Sequence, residues 1–278
     1  MKRLLTNRDM GMLTAYLLKD ETANTFLLGN LLYYGVEPNR NIFRCGDYWG
    51  YFDGDELVGV VAFFNNSQCM VYYTRPEVLR PMCLQIEENP IRLVLGSEQC
   101  VRPMAQLLRS VPGRMVIHHQ LLMVHQGELP NMPINDGGFL FQDARMFAGN
   151  RAIQDFIIRC MKDGFGYRIS RGTARRLLQE ETEHEPYLLL KVGNKLVAQA
   201  HIQTRTPGFG QIGGVCTLPE ERRRGYARVV VCAMMDMIRR DGGRRPCLVV
   251  NDDNASARSL YDSLGFREAK RLTLIDFL

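Results

Sequence analysis

The chain has 278 residues, of which 46% are hydrophobic, and a formal net charge of +5 at pH 7. This length suits one large or two ordinary globular domains, and we expect two. No apolar run approaches the ~18 residues that span a bilayer, and the first residues turn polar too soon for a signal peptide, so we predict a cytoplasmic protein with no membrane partner. The charge is modest and lacks a long basic run with interleaved aromatic residues. It therefore favours a small anionic ligand, and we do not expect nucleic acid as a partner.

The eight cysteines form no CxxC pair and lie mostly in apolar runs. They are Cys45, Cys69, Cys83, Cys100, Cys160, Cys216, Cys232 and Cys247. Such positions are typical of reduced thiols in a core rather than of metal ligands or a disulfide framework. We therefore expect no metal.

Residues 1–125 alternate between helical and strand patterns. The predicted elements are, in chain order, RDMGMLTAYLLKD, ANTFLLGNLLYYG, FRCGDYWGYFD, ELVGVVAFFNN, QCMVYY, RPEVLRPMCLQIEE, IRLVLG, SEQCVRPMAQLLRS and RMVIHHQLLMV. This order, ααβββαβαβ, is typical of a mixed α/β sheet with helices on its faces. His118 and His119 on the last strand are interpreted as one inward and one outward position without a functional role.

Residues 131–139, NMPINDGGF, are rich in Pro, Gly, Asn and Asp and have no apolar periodicity. This composition is typical of a segment between domains. We place the linker at 126–143, which leaves a first domain at 1–125 and a second domain at 144–278.

The second half of the chain repeats the order of the first. Its predicted elements are AIQDFIIRCMKD, SRGTARRLLQEETEHE, PYLLLKVG, KLVAQAHIQTRT, FGQIGGVCTL, YARVVVCAMMDMIRR, RRPCLVVN, NASARSLYDSLG and FREAKRLTLIDF. The paired Gly213 and Gly214 in the third strand indicate a bulge or a close backbone contact. The helix that follows this strand and its turn is apolar nearly all round, which predicts that it lies buried against a sheet.

The turn before that helix, PEERRRGYAR at 219–228, combines several arginines with a glycine. A turn that opens a helix exposes N–H groups without partners at the positive end of the helix dipole, and so it attracts anions. Gly225 lets the backbone approach a ligand or take a positive φ, and the arginines offer forked donors to phosphate oxygens. The alternative is a solvated run of charge.

Three features together resemble the GCN5-related N-acetyltransferases, or GNAT enzymes, over roughly residues 145–278. They are the element order, the turn RRRGYA and the segment NASARSLYDSLGF near the C-terminus. The family's turn has the form Arg/Gln-x-x-Gly-x-Gly/Ala, which Arg222, Gly225 and Ala227 fill here. The resemblance implies an enzyme that transfers an acetyl group from acetyl-CoA to a primary amine by direct attack of the amine.

The resemblance also implies where acetyl-CoA binds as co-substrate. The backbone of the bulged strand would pair with the pantetheine arm, and the N–H groups of residues 223 to 228 form the kind of nest that binds a pyrophosphate. The cofactor-binding residues expected on these grounds are Val215, Cys216, Thr217, Arg222, Arg223, Arg224, Gly225, Tyr226, Ala227, Arg228 and Asn254. Asn254 is also expected to cap the helix that follows it. Cys216 is interpreted as a thiol facing the core or the channel, with a covalent nucleophile as the alternative.

Tyr261 is the residue expected to be catalytic. By the family pattern its phenol would protonate or stabilise the departing CoA thiolate, and the alternative is an aromatic side chain that fills the core. The general base is not identified, because Gln211 and Val249 stand where relatives have a glutamate, and neither can take a proton. The substitutes are His201, Glu220, Asp252 or a chain of waters.

The first half looks like a degenerate copy of the same fold, so we predict two GNAT-like acyltransferase halves in tandem. Where the second half has RRRGYA, the first has TRPEVLRP, which lacks a glycine and in which Pro76 removes a donor N–H. SEQCVRPMAQLL also lacks a tyrosine. We interpret the first domain as a scaffold that shapes the acceptor cleft or the face of a homodimer.

The predicted function is transfer of acetyl to the amine of a small molecule or a peptide. Two alternatives stay open, since a fold does not determine chemistry. One is a non-catalytic CoA-binding or regulatory module, and the other is an acyltransferase that uses a longer acyl-CoA or an aminoacyl-tRNA.

Overall fold

The computed structural model describes residues 1–108, 113–130, 139–144 and 149–278, with the backbone alone at 180–184. The strands within these residues are β1 Lys2–Leu4, β2 Gly46–Asp53, β3 Glu56–Phe64, β4 Gln68–Tyr73, β5 Leu93–Ser97, β6 Met115–His125, β7 Phe139–Asp143, β8 Tyr187–Val192, β9 Lys195–Arg205, β10 Phe209–Thr217, β11 Arg245–Asn251 and β12 Phe266–Phe277. The helices are α1 Met10–Leu18, α2 Thr25–Tyr34, α3 Leu79–Glu87, α4 Glu98–Val101, α5 Met104–Leu107, α6 Arg151–Phe165, α7 Arg171–His184, α8 Tyr226–Arg240 and α9 Ala255–Ser263. In this described part of the chain, no helix is both long and apolar enough to cross a bilayer.

The chain divides into two compact units that do not follow chain order near the C-terminus. The first unit contains Met1–Met123, Val250–Arg258 and Glu268–Leu278, and the second contains Val124–Val249 and Ser259–Arg267. The sequence predicts one continuous second domain at 144–278, whereas the structure assigns two segments of that range to the first unit.

The first unit is built on a mixed sheet with the strand order β1-β2-β3-β4-β5-β12-β6. Strand β5 runs parallel to β4 and antiparallel to β12, where Leu95 pairs with Leu274. Ile275 and Phe277 of β12 belong to the same buried core as the apolar side chains of α1 and α2. The last strand of the chain therefore supplies both sheet and core to the unit that begins the chain.

The second unit is built on strands in the order β7-β8-β9-β10-β11. Strands β7 to β10 pair antiparallel, and β10 pairs parallel with β11. Helix α8 packs on β8, β9 and β10 with buried apolar side chains from Val229 to Ile238. The predicted α/β class and the predicted burial of this helix are both confirmed.

The sequence patterns miss two edge strands. Strand β1 has three residues and pairs with β2, while β7 lies inside the predicted linker at 126–143 and pairs with β8. Most positions of both strands are partly or fully exposed, so neither shows the apolar alternation that identifies a strand. Residues 131–138 of the predicted linker lie outside the described residues.

Two local predictions in the first unit are wrong. The helix predicted for SEQCVRPMAQLLRS is two short helices, α4 and α5, because Pro103 has no N–H to donate to a carbonyl of the preceding turn. His118 and His119 are both exposed, because β6 borders an open cleft at this point.

Candidate functional site

Strand β10 has a bulge at its paired glycines. Gly213 pairs with His201 of β9 and Cys216 pairs with Gln199, so β10 has one residue more than β9 between these points. Gly214 takes φ +60°, and a Cβ at this position would lie 2.4 Å from the His201 ring. Glycine avoids both the strain of a positive φ and the clash with this ring. The predicted bulge is therefore confirmed.

Beyond the bulge, the strands β10 and β11 are no longer paired. Among the described residues, their parallel pairing ends at Ile212 and Leu248, whereas β10 continues to Thr217. The edge of Val215–Thr217 that would face β11 therefore has main-chain groups that an extended ligand can pair with.

The arginine turn has the backbone shape of an anion nest. Arg223 has φ +62°, and Gly225, the N-cap residue of α8, has φ +80°. Within the described chain, the main-chain N–H groups from Arg223 to Arg228 have no main-chain acceptor. Successive N–H groups in such a turn converge on one point, and the dipole of α8 adds positive potential there. A positive φ at a residue other than glycine costs roughly 1–3 kcal/mol and is typical of functional sites.

The side chain of Arg222 connects this turn to the end of β10. Its guanidinium donates to the main-chain oxygen of Thr217 at 3.3 Å and to that of Asp163 at 3.2 Å. Two other arginines of the turn also have side-chain partners. Arg224 forms an ion pair with Glu221 at 3.2 Å, and Arg228 donates a hydrogen bond to the Ser263 hydroxyl at 3.0 Å. Arg222 thus places the nest beside the unpaired part of the strand.

Tyr261 lies on α9 in the second unit and is 6% exposed. Its ring meets Phe266 edge-on, with 6.0 Å between ring centroids. Burial raises the pKa of the Tyr261 phenol to about 12, so it is protonated at neutral pH. Among the described residues, its hydroxyl has no hydrogen-bond partner. Such a phenol can fill core space and still donate a proton to a leaving group.

Asn254 is the cap of α9, as predicted. Its side-chain oxygen accepts a hydrogen bond from the N–H of Ala257 at 3.1 Å. Asn254 belongs to a segment of the first unit, whereas Tyr261 belongs to the second. A contact of Asn254 with acetyl-CoA stays a prediction.

Comparisons with known proteins identify the fold. The family model described as FR47-like protein matches residues 191–274, and no curated protein sequence matches the chain. Among solved structures, a Drosophila protein has a TM-score of 0.74 at 15% identity, and the match covers 100% of this chain and 98% of that one. A GCN5-related N-acetyltransferase from Sphaerobacter thermophilus has a TM-score of 0.65 at 18% identity, covering 99% and 94%. A tandem GNAT protein from the clavulanic acid biosynthesis pathway has a TM-score of 0.64 at 13% identity, covering 99% and 97%. This chain has a tandem GNAT fold.

Within this GNAT fold, two of the predicted cofactor-binding segments come together in the second unit. Val215–Thr217 form the unpaired end of β10, residues 222–228 form the nest, and Arg222 joins the two. Their binding of acetyl-CoA stays a prediction.

The first unit of the GNAT fold has no nest at the corresponding turn. Arg75 has extended backbone there, with φ −126°, and Pro76 follows it. The Arg75 guanidinium is paired with Asp53 at 2.7 Å and with Glu56 at 3.0 Å. A turn without left-handed residues, whose arginine is already paired, is a poor anion site.

The side chain of Cys216 faces the core. It is 4% exposed, and its sulfur contacts the main-chain oxygen of Cys160 at 3.8 Å. A Cβ on Gly164 of α6 would lie 2.8 Å from that sulfur, so the thiol is packed under this helix. The core-facing interpretation is confirmed, and a role in binding a ligand would fall to the main chain of Cys216.

The three residues that could replace the missing glutamate as general base differ in burial and in their bonding partners. Glu220 accepts two hydrogen bonds from Arg159 at 2.9 Å, and hydrogen bonds from its own main chain and from Arg159 lower the pKa of Glu220, which makes it a weaker base. Asp252 is paired with a neighbouring arginine at 2.7 Å. His201 is 8% exposed, and its ring stacks on Tyr187 with 4.8 Å between centroids.

A cavity of about 210 Å³ lies in the second unit. Helices α6 and α7 and the residues between them line one side, and the other side includes Gln199, His201 and Gln203 of β9 and Gly214 at the bulge. Sequence patterns do not reveal this cavity, because the residues that line it come from several elements that are distant along the chain. The signal that could have found it is AQAHIQ in β9, where polar residues at every second position put three polar side chains on one strand face.

Proposed function

We propose that this protein is an acetyl-CoA-dependent N-acetyltransferase whose second unit binds the donor. The observation that carries the proposal is the nest at Arg223–Arg228 beside the unpaired main chain of Val215–Thr217. A pyrophosphate needs converging N–H donors, and a pantetheine arm has amides that pair with a strand edge. The residues present fit both groups at neighbouring points of one unit.

In the proposed reaction, Tyr261 acts as the general acid. The amine nitrogen of the acceptor forms a bond to the acetyl carbonyl carbon, and the carbon–sulfur bond of the thioester breaks. The Tyr261 hydroxyl gives its proton to the departing sulfur, and the proton released by the nitrogen returns to the phenolate through solvent. The raised pKa of Tyr261 keeps this proton in place before the reaction.

A non-catalytic CoA-binding module is the second candidate. It is favoured by Gln211 and Val249, which stand where relatives have a glutamate. Acyltransfer from a donor other than acetyl-CoA stays open as well. The cytoplasmic location, the absence of a metal and the homodimer stay predictions.

The deciding experiment has two parts on the full chain. Calorimetry with acetyl-CoA tests donor binding, and thiol release in the presence of a panel of amines tests transfer. Binding together with amine-dependent thiol release supports the proposal. Binding without release for any amine or acyl-chain length supports the non-catalytic module, and failure to bind acetyl-CoA contradicts both.

A further inference from the structure

We propose that the acceptor is a small monoamine whose non-reacting end is uncharged and apolar, and that it binds in the cavity beneath α6 and α7. This inference rests on the proposed N-acetyltransferase function and adds the chemical class of the acceptor. Three properties of the cavity support it, namely its apolar wall, its polar side beside the bulge and its size.

The wall of the cavity is apolar and neutral. Among the described residues that line it, none carries a formal charge, and α6 contributes Ile157, Met161 and Phe165. Phe165 is 40% exposed and Tyr167 is 48% exposed, so two large aromatic rings are open to solvent at this place. An ammonium or carboxylate held against this wall would lose hydration without gaining a charged partner, whereas an apolar group gains by burial.

The side of the cavity beside the bulge is lined by polar side chains of β9. Gln199 is 1% exposed, and its amide nitrogen donates to the Gly214 oxygen at 3.1 Å. Together with His201 and Gln203 it makes this side of the cavity polar, which suits the amino end of an acceptor better than its apolar end. Gln199 also pairs in register with Cys216, so an amine bound here lies beside the segment proposed to hold the acetyl donor.

The size of the cavity suits a small apolar group. Its 210 Å³ corresponds to roughly seven water volumes, which matches a phenylethyl or branched alkyl group. The acceptor class is therefore an arylalkyl or branched alkyl monoamine.

The test compares probe amines on the full chain with acetyl-CoA. The probes are 2-phenylethylamine and isoamylamine, which have an apolar end, and 1,5-diaminopentane, which has a second cationic end. We expect kcat/KM for the apolar amines to exceed that for the diamine by ~10²-fold or more, because the second ammonium of the diamine would lie against the apolar wall without a charged partner. Calorimetric binding of 2-phenylethylamine gives a readout that does not require turnover.

A pair of variants on α7 tests the position of the acceptor. Leu177→Trp fills the cavity and should lower both the binding of 2-phenylethylamine and its kcat/KM by ~10-fold or more, with acetyl-CoA affinity unchanged. Arg175→Trp introduces the same side chain at an exposed position of the same helix, outside the cavity lining, and should alter neither quantity.

Three results would overturn this inference while leaving the proposed function intact. They are equal or better turnover of the diamine, unchanged kinetics in Leu177→Trp, and binding of acetyl-CoA without any binding of the apolar amines. Failure of the wild-type chain to bind acetyl-CoA would instead contradict the proposed function. Calorimetry with 2-phenylethylamine would then decide whether the cavity is an amine site.

Discussion

At the scale of single residues, the candidate donor site depends on backbone conformation more than on side-chain identity. Arg223 and Gly225 take positive φ angles in the turn proposed to hold the pyrophosphate, and Gly214, also at positive φ, directly precedes the strand segment proposed to hold the pantetheine arm. Side chains act mainly by fixing that backbone, as Arg222 does through the Thr217 oxygen. Substitutions that change the charge or the conformation of the turn should therefore affect donor binding first.

Gly225→Asp should weaken acetyl-CoA binding by roughly 10-fold to 10³-fold, because it places a carboxylate where a pyrophosphate is proposed to lie. A Cβ at this position meets no atom within 4 Å, so the cost in the free protein is the strain of a positive φ. Gly225→Asn is the matched control, since asparagine has the same shape, no charge and a tolerance for this conformation. Calorimetry measures both variants, and equal affinity for wild type and Gly225→Asp would mean that the turn is a solvated run of charge.

Tyr261→Phe should lower kcat by ~10²-fold with little change in the KM for acetyl-CoA, because the lost hydrogen bond is made mainly in the transition state. The thermal unfolding midpoint should hardly move, since the hydroxyl has no partner among the described residues. Steady-state kinetics and thermal unfolding of both proteins provide the comparison. An unchanged kcat in Tyr261→Phe would mean that Tyr261 only packs in the core and has no catalytic role.

At the scale of elements, the last strand connects the end of the chain to its beginning. Strand β12 pairs with β5, and Ile275, 0% exposed, belongs to the core of the first unit. Trp49, the one tryptophan of the sequence, lies on β2 of the same unit. Its fluorescence therefore reports the unfolding of the first unit.

Ile275→Ala should destabilise the first unit by about 2–5 kcal/mol, because it removes buried methyl groups from a packed core. The measurement is urea unfolding followed by Trp49 fluorescence. Leu278→Ala makes a similar truncation three residues later at a position that is 63% exposed, and it should have little effect. A Trp49 transition that does not move in Ile275→Ala would contradict the assignment of β12 to the first unit.

At the scale of the whole molecule, the two halves share a fold and differ at the point where the donor is proposed to bind. The first unit has an extended arginine paired with two carboxylates where the second has a nest of free N–H groups. The two units also exchange segments of chain, so a fragment ending near residue 130 would lack a strand of the first unit's sheet. Tests of the first unit therefore require the full chain.

The full chain should bind one molecule of acetyl-CoA, at the second unit. Calorimetric stoichiometry measures this directly, and Gly225→Asp should weaken this single binding event. Arg75→Ala, the control in the first unit, should leave affinity unchanged because that arginine is engaged by Asp53 and Glu56. A second saturable site, or a loss of affinity in Arg75→Ala, would mean that the first unit also binds the donor.

The sequence by itself determined the features that depend on neighbouring residues. The α/β class, the bulge at Gly213 and Gly214, the buried helix α8 and the cap at Asn254 all follow from periodicity or from the conformational preferences of short segments. The arginine turn was identified in the same way, because a helix start and a glycine are local signals.

Only the tertiary structure decided which distant segments meet. Strands β1 and β7 exist through pairing with β2 and β8, β12 packs in the unit that begins the chain, and the cavity beside Gln199 is assembled from several elements. An apolar face in a sequence shows that a segment is buried but not which segment covers it. Which segment covers it depends on the free energy of the whole folded molecule, because segments far apart along the chain compete to pack against the same face.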